Sequence, residues 1–199
     1  MPSGIANLFS ILPSIELLKR IEVLLNTKEI RLELPESNKV QVWTTEGEML
    51  QVEKEELFRK STDISNYLIQ FWWPQMDDVS MKLVHEGQLC ACYIYLDGLN
   101  ECQCRDILDL LISITLHSVE TVGFVIDRTE LCSEFEWARF FRDKEYLDNR
   151  NLDQYGLRVC KKYELNEVNK EQLKGFETNY VYIAIPKPEK GTIDLYLLY

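Results

Sequence analysis

The chain has 199 residues, and its 33 Asp and Glu against 22 Lys and Arg give a formal net charge of -11. With 46% apolar and 11% aromatic residues it has the content of a packed globular protein, which excludes general disorder. No run reaches the roughly 20 apolar residues of a membrane span, and a net anion whose Lys and Arg are dispersed disfavours nucleic acid.

The length fits a single domain over 1–199, with residues 1–60, a helix plus a short meander, as a candidate peripheral appendage. The N-terminal stretch MPSGIANLFSILPSIELLKRIEVLLN is apolar but lacks a basic start and a small-residue cleavage site. Glu16, Lys19, Arg20 and Glu22 also interrupt it, so a cytoplasmic location is the expectation. The first element is a helix over Ser14 to Asn26. Leu17, Leu18, Ile21, Leu24 and Leu25 form one apolar stripe, and Ser14 is the candidate N-cap. Its polar face is not basic, so it is expected to dock on the protein's own core rather than a membrane.

Alternation at Ile30, Leu32 and Leu34, at Val40 and Val42, and at Leu50 and Val52 after the turn Thr44-Thr45-Glu46-Gly47 predicts a short antiparallel meander. The segment EKEELFRK reads as helix, as does Ser61 to Gln70. Phe71-Trp72-Trp73 follows, closed by Pro74, and then Asp77 and Asp78. Large aromatics dominate cores, so this cluster is read first as a core plug. Trp is also enriched at binding hot spots, which makes the same residues a candidate recognition patch.

Ser80 to Val84 and Leu89 to Leu96 predict a hairpin turning through His85-Glu86-Gly87-Gln88, with Cys90, Cys92, Ile94 and Leu96 on one face. Asn100 caps a helix reaching Ser118, with Cys104, Ile107, Leu108, Leu111, Ile114 and Thr115 inward. TVGFVID is a nearly continuous apolar strand suited to a sheet centre. Ser133 and Glu136 form a capping box before an aromatic helix, and Asp148 to Tyr155 is a loop. Leu157 to Tyr163 is a strand, Asn169 caps a short helix, and NYVYIAI with TIDLYLLY closes the chain as a hairpin. The order predicts an α+β fold with an antiparallel or mixed sheet, helices mainly on one face, and a terminal β-hairpin.

Chemistry-bearing patterns are sparse. Cys90, Cys92, Cys102, Cys104, Cys132 and Cys160 are read as reduced thiols, several of them core hydrophobes. The two C-x-C pairs have one intervening residue where zinc sites use two to four. The eight glycines are scattered, no G-x-S-x-G is present, and only His85 and His117 could serve as imidazole bases. No metal or other cofactor is expected. A small hydrolase would need Cys–His or paired carboxylates, the latter best sought at Asp127, Glu130, Glu134 and Glu136, where helix capping is the plainer role.

The expectation is therefore a binding protein rather than an enzyme. An acidic surface steers a basic partner while aromatics supply affinity. Bacterial immunity proteins, which neutralise a basic toxin enzyme, are similar in kind. The expected partner-binding set is Trp72, Trp73, Asp77, Asp78, Asp127, Glu130 and Glu134. The small hydrolase is one alternative, and an adaptor subunit of a larger assembly is another.

Overall fold

The computed structural model describes residues 4–59, 64–128, 136–143, 157–173, 177, 179–188 and 191–199. Glu130, Cys132, Ser133, Glu134 and the loop Asp148 to Tyr155 lie outside the described residues. The strands are β1 (Ile5–Ser10), β2 (Val40–Thr44), β3 (Met49–Val52), β4 (Tyr67–Trp72), β5 (Asp78–Glu86), β6 (Leu89–Tyr95), β7 (Thr121–Asp127), β8 (Val159–Asn166), β9 (Val181–Pro186) and β10 (Thr192–Leu198). The α-helices are α1 (Ser14–Asn26), α2 (Lys54–Arg59), α3 (Glu101–His117) and α4 (Trp137–Arg142). Among the described residues, the ten strands make one sheet in the order β3-β2-β4-β5-β6-β1-β7-β9-β10-β8, and every pairing is antiparallel. The fold is α+β, and β9 and β10 form the closing hairpin.

The two faces follow from strand alternation. Ala6, Leu8, Ile69, Phe71, Met81, Leu83, Cys92, Ile94, Phe124 and Ile126 point to one side, where α1 and α3 pack. Leu17, Leu18, Ile21 and Leu25 of α1 are wholly buried there, each contributing about 1.5–3 kcal/mol relative to exposure. Asn100 caps α3, accepting from the backbone N–H of Cys102 and Gln103, while Gln103 Oε1 accepts from Asn100 N at 2.9 Å. Phe9, Ala91, Val125 and Ile183 point to the other side, where Trp137, Phe140 and Phe141 of α4 cover them. Strand β7 is thus buried on both faces, which accounts for its unbroken apolar sequence.

Five local expectations need correction. Ile5–Ser10 carried no strand signal, yet β1 lies between β6 and β7 near the middle of the sheet. Residues 1–60 thus supply three strands, two of them interior. Ser61 to Gln70 was expected to be helical. Ile64–Asn66 is one 3-10 turn, and Tyr67 onward is β4, because Ile69 and Phe71 alternate into the core against Met81 and Val79. Ile30, Leu32 and Leu34 do point inward, but the segment touches the sheet only through isolated bridges, Arg31 to Trp72 and Glu33 to Val40. A turn at Leu34 to Asn38 ends any longer ladder. His85 and Glu86 belong to β5, because Gly87, at φ 69°, permits a two-residue turn. Ser14 is the first helical residue of α1; Pro13 holds the cap position, and the Ser14 hydroxyl is engaged elsewhere.

Candidate functional site

The β4–β5 corner is built from the sequence Trp72-Trp73-Pro74 and Asp77-Asp78. Trp72 pairs with Asp78 across the two strands. The Trp73 backbone N–H donates to the Asp77 carbonyl at 2.8 Å, and Met76 N–H donates to the Trp73 carbonyl. Met76 takes φ 69°, which closes the turn after Pro74. Both Trp side chains are inside, with Trp72 8% and Trp73 6% exposed. They anchor the corner from within and present little surface. The Trp73 indole N–H donates to Asp106 Oδ2 at 3.3 Å, joining the corner to α3. Beside Trp72 a cavity of about 260 Å³ is lined by Glu29, Arg31, Pro35 and Pro74.

The two carboxylates are held by neutral amides. Gln103 Nε2 donates to Asp77 Oδ2 at 2.9 Å, and Gln70 Nε2 donates to Asp78 Oδ2 at 2.7 Å. Gln70 is itself fixed, since its Oε1 accepts from Gln41 Nε2 and Trp43 Nε1. Neither Asp has an ion-pair partner among the described residues. Asp106 nearby differs, sharing the Lys28 ammonium with Asp109 at 3.0 Å each. Burial works against the Lys28 charge, but its hydrogen bonds to both carboxylates outweigh it and raise its pKa. Asp106 thus has a shared cation beside it, whereas Asp77 and Asp78 have none among the described residues. Asp97 and Glu101, both exposed at the β6–α3 junction, add to the acidity of this end of the sheet.

Asp127 lies at the same end of the sheet but is not a surface acid. It closes β7 at 3% exposure, opposite Ile5, in the row that continues through Tyr95 and Ser80. Strands β5, β6, β1 and β7 are consecutive, so Asp127 stands three strand spacings, roughly 14 Å, from Ser80, and Asp78 lies two residues beyond Ser80 along β5. Trp72, Trp73, Asp77 and Asp78 therefore form one corner, with Asp127 buried farther along the same edge.

A second constellation links Ser14, His85 and Cys90. His85 pairs with Cys90 across β5 and β6, and its Nε2 lies 3.1 Å from Ser14 Oγ. The Cys90 thiol donates to the same oxygen at 3.4 Å. This picks out which cysteine and which histidine meet. Burial pushes the Cys90 thiol up, away from the nucleophilic thiolate, and Ser14 is 3% exposed. Neither the 260 Å³ cavity nor a larger one of about 440 Å³, bordered by Lys28, Arg105, Asp109, Ser113 and Lys170, opens onto the three residues. His117 ends α3, and its Nε2 is 3.0 Å from Glu167 Oε1.

No helix of the described residues is long and apolar enough to cross a membrane. Comparison with protein-family models, with curated protein sequences and with solved structures found no match.

Proposed function

We propose that this protein binds a basic protein partner through the Asp77–Asp78 corner, in the manner of an immunity protein or inhibitor. The observation that carries this reading is that both carboxylates are fixed by glutamine amides rather than cations. Their charge is preorganised at the surface and uncompensated, which favours fast electrostatic capture of a cationic partner. The net charge of -11 extends the attraction beyond the contact itself.

The test is capture from the native host with the wild-type chain and with an Asp77→Lys, Asp78→Lys double variant. The expected result is a basic protein in stoichiometric complex with the first and lost from the second. Retention of the same protein by both variants moves the contact elsewhere, and recovery of no basic protein removes the proposal's support.

The Ser14–His85 contact favours a small hydrolase as a second reading. In that chemistry His85 takes the Ser14 proton as Oγ attacks the ester carbonyl carbon and the carbonyl pair moves onto oxygen, and it returns that proton to the alkoxide as the ester C–O bond breaks. Turnover of activated esters that disappears in both Ser14→Ala and His85→Ala variants supports it, and absence of turnover in the wild type removes it.

A further inference from the structure

The two edges of the sheet are finished differently. Strand β8 carries Lys161, Lys162 and Glu164, and its lysines pair with Glu177 and Asp194. Charged residues of this kind blunt an edge against further pairing. At the other edge, β3 is Met49-Leu50-Gln51-Val52, with no charged residue within the strand. Met49 is 47% exposed and Leu50 38%, on opposite faces of the strand, and Trp43, the cross-strand neighbour of Met49, is 37% exposed.

The backbone of this edge is directed outward. Thr44 N–H donates to the Glu48 carbonyl at 2.9 Å, which sets the alternation of the β2–β3 ladder. Leu50 and Val52 then bond toward β2, while the N–H and C=O of Met49 and Gln51 point away from it. Among the described residues no strand meets them. A bare, apolar, four-residue edge is a template for another strand.

Charge selects the occupant. Glu46, Glu48 and Glu53 bracket β3, followed by Glu55 and Glu56 in α2. Lys39 meets Glu53 at 3.6 Å, and Lys54 is committed to Glu22 and Glu33. The bracket is therefore acidic at both ends. A second copy pairing antiparallel would set the Glu46–Glu48 end of one chain against the Glu53–Glu55 end of the other, and like charges facing each other across strands destabilise the pairing. An extended segment with apolar residues at its centre and basic residues at its ends meets no such repulsion.

We infer that the free edge of β3 accepts an extended, basic-flanked segment of a partner protein as an added strand. This strand edge is a different surface from the Asp77–Asp78 corner, although Gln70 joins the two by accepting from Trp43 and donating to Asp78.

The probe is a synthetic peptide of alternating valine and threonine with two lysines at each end, beside a counterpart ending in glutamates. The lysine peptide is expected to bind the full chain and slow amide exchange at Met49 and Gln51. The glutamate peptide is expected to bind roughly tenfold more weakly or worse. Gln51→Pro removes an outward N–H without touching the β2 ladder, and Gln51→Lys supplies the kind of charge that guards β8. Each is expected to weaken lysine-peptide binding by roughly tenfold while leaving the melting temperature near that of wild type. Should the proline variant fail to fold, the lysine variant carries the test. Asp77→Lys is expected to leave peptide binding unchanged, so this site and the corner fail independently. The inference is overturned by no peptide binding, by equal binding of the two peptides, or by binding without protection at Met49 and Gln51. It is equally overturned by a wild-type dimer that Gln51→Pro dissolves, which would make a second copy the occupant.

Discussion

Gln103 joins Asp77 to the first turn of α3: its Oε1 accepts from the Asn100 backbone N–H and its Nε2 donates to Asp77 Oδ2, both at 2.9 Å. One amide thus completes a helix cap and positions a surface carboxylate. Asp, the obvious short acceptor, could not do both, since an ionised carboxylate has no donor to give.

Replacing Gln103 by Met keeps the length of the side chain and removes both bonds. The expected cost is about 1 kcal/mol from the capping box and the tether. For a chain of this size that lowers the thermal midpoint by about 2–4 °C, read in a calorimetric melt. Asn100→Ala is expected to cost about 0.5–2 kcal/mol by the same measurement.

Gly123 of β7 is expected to tolerate no side chain. It faces Phe9 across β1, and Phe9 stacks on Phe141 of α4 with ring centroids 4.7 Å apart. A Cβ at Gly123 would stand 2.5 Å from the Ala184 carbonyl oxygen and collide with the Phe141 ring, at a φ of 154°. Gly123→Ala is expected to destabilise by about 1–3 kcal/mol through overpacking, measured by denaturant unfolding. An unchanged midpoint would mean that α4 does not sit over this strand.

The thiols are expected to react in two classes. Cys102 and Cys160 are exposed, whereas Cys90, Cys92 and Cys104 are buried, and burial pushes the thiol pKa of each of the three up. Alkylation of the native protein followed by peptide mapping should label Cys102 and Cys160 before Cys90, Cys92 and Cys104, which react only on unfolding. Early labelling of Cys92 would contradict its burial in the core.

Tyr93 makes stability depend on alkaline pH. Burial, reinforced by Glu86, raises its pKa to about 12, and its hydroxyl donates to Glu86 Oε1 at 3.1 Å. The unfolded chain releases this proton near pH 10, so between about pH 10 and 12 the folded state holds one proton more than the unfolded. Stability must then fall with rising pH in that window. Tyr93→Phe is expected to show a shallower loss of melting temperature there than wild type. Identical slopes would mean that Tyr93 titrates as an ordinary surface tyrosine.

Where side-chain period alone decided an element, the sequence was legible. The α3 stripe and its Asn100 cap, the closing hairpin, and the doubly buried β7 all follow from it. Strand β1 was hidden because Ile5–Ser10 sits on the same apolar stretch as α1, and a short apolar run carries no usable period. Tyr67–Trp72 follows a polar segment, which disguised where its alternation began. At the corner, Trp72, Trp73, Asp77 and Asp78 were visible as a cluster. Their amide partners Gln70 and Gln103 were not, because a contact across 26 residues leaves no trace in composition.

Capture of a basic protein by the preorganised acidic corner is read in stopped-flow association with the partner recovered from the host. Ionic strength would be raised from about 0.01 to about 0.1 M, shortening the screening length from about 30 to about 10 Å. The association rate is expected to fall roughly tenfold or more across this range for the wild type, with a much flatter dependence for the Asp77→Lys, Asp78→Lys variant. A salt-independent rate, or the same salt dependence in both proteins, would contradict capture by the corner.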